Sequence, residues 1–172
     1  MASNIEIKAR VSHPGVLQQR AESLSDTPCE ILSQEDIFFN TPQGRLKLRV
    51  LAPDRGELIY YTRENANGPK RSDYSIFRTS DPDTLKAVLA AAWGIRGVVK
   101  KVRRLYLAGQ TRIHLDDVEG LGAFMELEVV MQPDQSDAEG HTIARVLKDK
   151  LGIADADLID VAYIDLLNQP AV

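Results

Sequence analysis

Charged residues stand two positions apart at several places in this chain, among them Glu6 and Lys8, Lys47 and Arg49, Lys101 and Arg103, and Glu126 and Glu128. Arg112, His114 and Asp116 form a run of three at the same spacing. Such spacing puts side chains on one face of an extended strand. Grouped carboxylates suit a hard cation such as Mg²⁺ or Mn²⁺. Lysine and arginine in number suit phosphate oxygens, arginine through two parallel hydrogen bonds. Together these residues describe a site for a metal-bound polyphosphate.

The elements that must position them follow from the residues in between. In "NIEIKARV", Ile5, Ile7, Ala9 and Val11 alternate with Asn4, Glu6, Lys8 and Arg10, the pattern of a strand with one apolar face. "RLKLRV" alternates again, with Leu46, Leu48 and Val50 opposite Arg45, Lys47 and Arg49. "CEILSQEDIFFN" reads as extended, "ELIYYTRE" as a strand ending at Arg63, and "KRSDYSIFR" as its partner across a break at Asn67-Gly68-Pro69. Three further strands are expected over Val98–Leu107, Gln110–Val118 and Ala123–Met131. Helices are expected over "SHPGVLQQRAESL", with Ser12 or His13 near its cap, and over "DPDTLKAVLAAAWG", with Asp81 as cap and Gly94 as stop. A third helix is expected over Asp137–Leu151, and "DADLIDVAYIDLL" at the end reads as helical too. Trp93 and the "LAAAW" run read as core, and Cys29 as a small residue packed at a strand edge. About eight strands in hairpin sequence, with helices inserted, make an α+β domain over residues 1–172 with a large antiparallel sheet, open or closed into a barrel.

A sheet with one face on helices and the other in water would also be amphipathic. Two features weigh against that reading. The polar face of the third strand is wholly basic and that of the last wholly acidic, and several basic residues but no acidic one occur between Arg96 and Arg112. Like charges side by side repel and are best tolerated around a counter-ion. Closure of eight strands would put one face inside a tunnel.

The 172 residues carry a net charge of −4 and are 44% hydrophobic and 27% charged. That balance gives no whole-protein attraction to nucleic acid or anionic membrane. A single cysteine excludes an intrachain disulfide and a thiolate metal cluster. No apolar run has spanning length and there is no basic, hydrophobic leader, so a cytoplasmic protein is expected.

"IEIK", "GRLKLR", "KKVRRLY", "RIHLDDVEGLG" and "FMELE", in that order, resemble the CYTH superfamily of triphosphate tunnel metalloenzymes, named for class IV adenylyl cyclase and thiamine triphosphatase. The resemblance runs over nearly the whole chain. It implies an eight-stranded antiparallel β-barrel with flanking helices, whose tunnel binds a triphosphate with Mg²⁺ or Mn²⁺. It further implies Glu6, Asp116, Glu126 and Glu128 as metal ligands. Lys8, Lys47, Arg49, Arg63, Lys101, Arg103 and Arg112 would bind the phosphates, with Glu6, Lys8 and Arg103 catalytic. The family signature Glu-x-Glu-x-Lys begins here with Asn4, so one carboxylate is missing and one metal site is supported rather than two.

Three functions follow as expectations. The first is metal-dependent hydrolysis of an inorganic or organic triphosphate such as tripolyphosphate, thiamine triphosphate or ATP. The second is cyclisation of ATP to cyclic AMP and pyrophosphate, for which Phe38, Phe39, Tyr60 and Tyr74 are candidate walls for the base or else packing residues. The third is triphosphate or nucleotide binding without turnover, which Asn4 favours. His114 could serve in acid–base work or as a hydrogen-bonded filler, while His13 and His141 read as solvated. RNA binding through Arg96–Arg112 would need those bases exposed, and nucleic acid is not expected as a partner. A homodimer is left open.

Overall fold

The computed structural model describes residues 1–63 and 68–168. Its strands are β1 (Ala2–Arg10), β2 (Glu30–Phe39), β3 (Arg45–Ala52), β4 (Arg55–Arg63), β5 (Lys70–Thr79), β6 (Ile95–Ala108), β7 (Thr111–Val118) and β8 (Gly122–Val130). They close into a barrel in the order β1-β5-β4-β3-β2-β6-β7-β8, every pair antiparallel. Helices α1 (Pro14–Leu24), α2 (Pro82–Trp93), α3 (Asp137–Leu151) and α4 (Tyr163–Leu167) flank it. The eight strands, the closure and the first three flanking helices are those expected. Of the expected β4–β5 break, Asn67 lies outside the described residues. Among the described residues, no helix is long and apolar enough to cross a membrane.

Most of the apolar core lies outside the barrel, between strands and helices. Ile5 and Ile7 of β1, Ile113 of β7 and Met125 and Leu127 of β8 pack with Leu17 and Ala21 of α1 and Ala144 and Leu151 of α3. Burial of each larger side chain stabilises the fold by about 1.5–3 kcal/mol. Ile37, Phe39 and Leu48 form a second cluster under Leu85, Leu89 and Ala90 of α2. The charged partners at alternate positions therefore point inward, which the period-2 geometry of a strand requires.

Local chemistry sets the helix ends. Asp81 Oδ1 accepts from the Thr84 N–H at 3.0 Å, and Ser136 and Glu139 form a reciprocal capping box on α3. The cap of α1 is His13, whose side chain makes no capping bond. Gly94 stops α2 at φ 74°, a left-handed backbone favoured by glycine.

Three expectations are corrected. Trp93 is 46% exposed and Ala91 and Ala92 are exposed, because the packing stripe of α2 is Leu85, Leu89 and Ala90, and Trp93 falls where the chain leaves for β6. Cys29 is exposed just ahead of β2. The terminal "DADLIDVAYIDLL" is not one helix: a short 3₁₀ turn at Asp155–Asp157 is followed by extended chain, and only Tyr163–Leu167 is α-helical. The cause is β1. Among the described residues its pairing with β5 covers Ala2–Glu6, and the later backbone groups on that side meet other partners. Leu158 bridges to Ala9, and the Ile159 N–H donates to the Lys8 carbonyl at 2.9 Å.

Candidate active site

The inward faces enclose a cavity of about 430 Å³, within the usual range for small-molecule sites. Among the described residues, nine basic and six acidic side chains line it, leaving a surplus of positive charge. Ala162 and Tyr163 form its floor, carried there by the extended run after Leu158. Around them Phe38, Val99, Val118 and Phe124 pack with Ile164. Gly97 lets this segment approach: a Cβ at that position would collide with Ile164 Cδ1. The opposite rim carries exposed Glu30, Arg55 and Arg78.

Each inward carboxylate holds a base in place. Asp36, only 2% exposed, accepts from Lys47 Nζ at 2.8 Å and from Arg49 Nε and Nη2 at 2.8 and 2.9 Å. Burial opposes its ionisation, but Arg49 and Lys47 outweigh that and hold its carboxyl well below the usual range. Burial, reinforced by Arg49, pushes the Lys47 ammonium down to about 8. Two strands along, on β7, Asp116 accepts from Lys101 at 3.1 Å, from Arg103 at 2.7 and 2.6 Å and from the Tyr163 hydroxyl at 3.0 Å. Its carboxyl is also depressed: burial raises it, and Arg103 and Lys101 lower it further. Glu126 takes Lys8 at 2.7 Å and Arg103 at 2.6 Å. Glu6 takes Arg63 at 2.7 Å, and Arg63 and Lys70 both donate to the Asp160 carbonyl.

On β7 and β8, Glu128 Oε2 lies 3.0 Å from Arg112, and the His114 imidazole faces Glu126 and Glu128. Burial and Arg103 push His114 below the ordinary imidazole value, Glu128 pulling the other way. His114, Glu126 and Glu128 each offer a ligand atom, all within 4.8 Å of one another. One neutral imidazole and two carboxylates make a donor set that fits a divalent cation. Asn4, in the amide orientation that satisfies its neighbours, accepts from Arg112 Nη2 at 3.2 Å and donates to the Ser3 carbonyl at 3.1 Å.

The residues singled out by spacing converge. Glu6, Lys8, Lys47, Arg49, Arg63, Lys101, Arg103, Arg112, Glu126 and Glu128 all line the cavity. Asp116 stands behind the lining, its oxygens engaged by Lys101, Arg103 and Tyr163. Phe38 and Tyr74 line the cavity; Phe39 packs in the outer core. Of the basic stretch, Lys101, Arg103 and Arg112 face inward, while Arg96 pairs outside with Asp165 and Lys100 with Glu35. Spacing alone did not single out Asp36, Tyr61, Lys70 or Tyr163. Asp36 had a usable signal, since Gln34, Asp36 and Phe38 share one parity in "EILSQEDIFF". Tyr163 had none, because its segment imitates a helix.

The CYTH domain model matches residues 2–163. A protein of Methanocaldococcus jannaschii, provisionally named an adenylate cyclase, is 25% identical, with 94% of this chain and 97% of that protein covered. A solved structure from Pyrococcus horikoshii superposes with a TM-score of 0.85 at 25% identity, covering 96% of this chain and 99% of that one. A Hippeastrum protein, described as an adenylyl cyclase candidate with dominant triphosphatase activity, superposes with a TM-score of 0.66 at 16% identity, covering 96% and 94%.

Proposed function

The chain belongs to the CYTH domain family, and from that premise we propose that it is a divalent-metal-dependent enzyme that hydrolyses a triphosphate held in the barrel. The observation that carries this reading is the surplus of inward cations around a floored cavity with His114, Glu126 and Glu128 on its wall. A bound polyphosphate supplies the negative charge that the lining lacks. Lys8, Lys47, Arg49, Lys101, Arg103 and Arg112 would hold its oxygens, and Arg63 would reach it from beside Glu6. The carboxylates that grip these bases in the free protein keep them in position, so little reorganisation is needed when the substrate enters. Phosphoryl transfer asks chiefly for such positioning and charge stabilisation.

A cation such as Mg²⁺ or Mn²⁺, held by Glu126 and Glu128 with Glu6 nearby, would offset phosphate charge and polarise a phosphate oxygen. Glu6 or Glu126 would accept a hydrogen bond from the attacking water and so align it with the terminal phosphorus. The water oxygen would bond to that phosphorus as the bond to its bridging oxygen breaks, its proton would pass to the glutamate and on to solvent, and orthophosphate would separate from the shortened chain. Lys8 and Arg103 would stabilise the charge that gathers on the leaving oxygen.

Cyclisation of ATP is the second reading. It is favoured by the apolar Leu32, Leu51, Ile76 and Leu105, which line the same cavity and could face a nucleobase. One panel separates the two. Tripolyphosphate, thiamine triphosphate and ATP are each incubated with Mg²⁺ and with Mn²⁺, and orthophosphate, pyrophosphate and cyclic AMP are measured. Orthophosphate release is expected. Cyclic AMP with stoichiometric pyrophosphate would replace the hydrolase reading by the cyclase, and tight binding without turnover would remove both.

A further inference from the structure

We propose that His114 is itself a metal ligand, so that the cavity binds its cation through an imidazole nitrogen as well as carboxylate oxygens and selects Mn²⁺ over Mg²⁺. This deepens the reading above, with which it shares the site.

The starting observation is an orphaned atom. His114 is 3% exposed, and its Nδ1 is buried without a hydrogen-bond partner. Buried polar nitrogens in native proteins almost always have a partner. This one is aimed at two carboxylates, 3.7 Å from Glu126 Oε2 and 3.8 Å from Glu128 Oε1. Those gaps are too long for hydrogen bonds. They suit a shared ion: two ligand atoms, each about 2.1 Å from one cation, stand about 3 Å apart when adjacent and about 4.2 Å apart when opposite.

The strand register produces the arrangement. His114 lies directly across from Glu126 in the β7–β8 pairing, and Glu128 lies across from Arg112. Other contacts leave the necessary atoms available. Arg112 engages Glu128 through Oε2, so Oε1 is the oxygen that faces the imidazole. Glu126 is shared with Lys8 on Oε1 and Arg103 on Oε2, and a divalent cation would compete with these bases for it in the free protein. Asn4 adds no charge, and its carbonyl oxygen is taken by Arg112. The nitrogen of His114 thus enlarges a donor set that is short of carboxylates.

Nitrogen ligation has a chemical consequence. Mg²⁺ keeps oxygen ligands and several waters, whereas first-row transition ions bind imidazole readily. A site of one imidazole and two carboxylates therefore favours a first-row transition ion, Mn²⁺ included, over Mg²⁺.

The test needs no turnover. Mn²⁺ is titrated into the whole chain without substrate, and electron spin-echo modulation is recorded on the complex. An imidazole ¹⁴N coupling is expected. In His114→Gln it should vanish, with Mn²⁺ affinity falling about tenfold or more and Mg²⁺ affinity changing less. Mn²⁺ bound without nitrogen coupling, a coupling that survives in His114→Gln, or no Mn²⁺ binding would each overturn the assignment. The wild-type spectrum decides the matter even if the variant misfolds. Nitrogen-bound Mn²⁺ in a protein that releases no phosphate would sink the hydrolase reading and leave this inference standing. Phosphate release without nitrogen coupling would do the reverse.

Discussion

The ammonium of Lys8 stands 3.7 Å from the centroid of the Tyr163 ring. The hydroxyl of the same tyrosine donates to Asp116, and Lys101 lies 5.1 Å from the ring. One residue of the C-terminal segment thus touches three charged groups contributed by β1, β6 and β7. The floor is part of the charged site as well as its boundary.

Replacing Tyr163 tests that role. A cation over an aromatic face is worth up to roughly 2 kcal/mol when desolvated, about thirtyfold in affinity. Tyr163→Leu should weaken tripolyphosphate binding by up to that factor. Tyr163→Phe keeps the ring and should lose much less. Calorimetric titration reads both, and equal losses in the two variants would show that the ring face is not what matters.

Lys47 gives the site a pH dependence. Its ammonium is pushed down to about 8, so it is charged below that pH and neutral above it. Affinity for tripolyphosphate should hold steady below about pH 8 and fall as pH rises through it. Lys47→Arg keeps the charge and should flatten the fall. Removing both cations in a Lys47→Ala, Arg49→Ala double variant should weaken binding at every pH and reduce its sensitivity to salt. A double variant that binds like the parent would point to a phosphate path elsewhere in the cavity.

Glu126→Gln and Glu128→Gln should each abolish metal-dependent phosphate release while circular dichroism still reports a folded barrel. Both side chains face the cavity and lie outside the apolar clusters. Unchanged turnover in both variants would move the cation to other residues.

Asp116 carries a structural prediction. Breaking a buried pair by removing one partner costs about 3–5 kcal/mol, and Asp116 compensates both Lys101 and Arg103. Asp116→Asn should lower the melting temperature accordingly. The sign with pH follows from its depressed carboxyl. An aspartate whose folded value lies below the unfolded one, about 3.9, adds stability that is complete above that pH and is lost as pH falls through the folded value. Melting curves of parent and variant should therefore run parallel from pH 7 to about pH 4 and draw together only below it, as pH falls toward the depressed folded value. A gap that stays constant as the pH is taken well below that point would mean that Asp116 does not hold these cations.

Much of the site was legible because a strand interleaves two patterns. Ile5, Ile7, Leu127 and Val129 mark the outward face, and Glu6, Lys8, Glu126 and Glu128 fall on the inward one by parity alone. Parity also reaches Asp36, but β2 mixes Gln34, Asp36 and Phe38 on its inward face, and no run of one charge sign draws attention to it. The floor was not legible. "DADLIDVAYIDLL" has helical spacing, and what draws it out is a partner more than a hundred residues earlier, the side of Lys8 and Ala9 that faces away from β8. Trp93 misled for a similar reason, since a large apolar residue at a helix end says nothing of whether a neighbour reaches it.

Among the described residues the chamber has a floor at Ala162 and Tyr163 and a rim at Arg55 and Arg78. On the proposed reading this shape imposes an order on traffic. A triphosphate comes in with one end leading, and that end comes to rest deepest. After cleavage the inner fragment sits behind the outer one and leaves second, by the route it entered. Release becomes sequential, and the fragment left inside competes directly with the next substrate molecule for the same doorway.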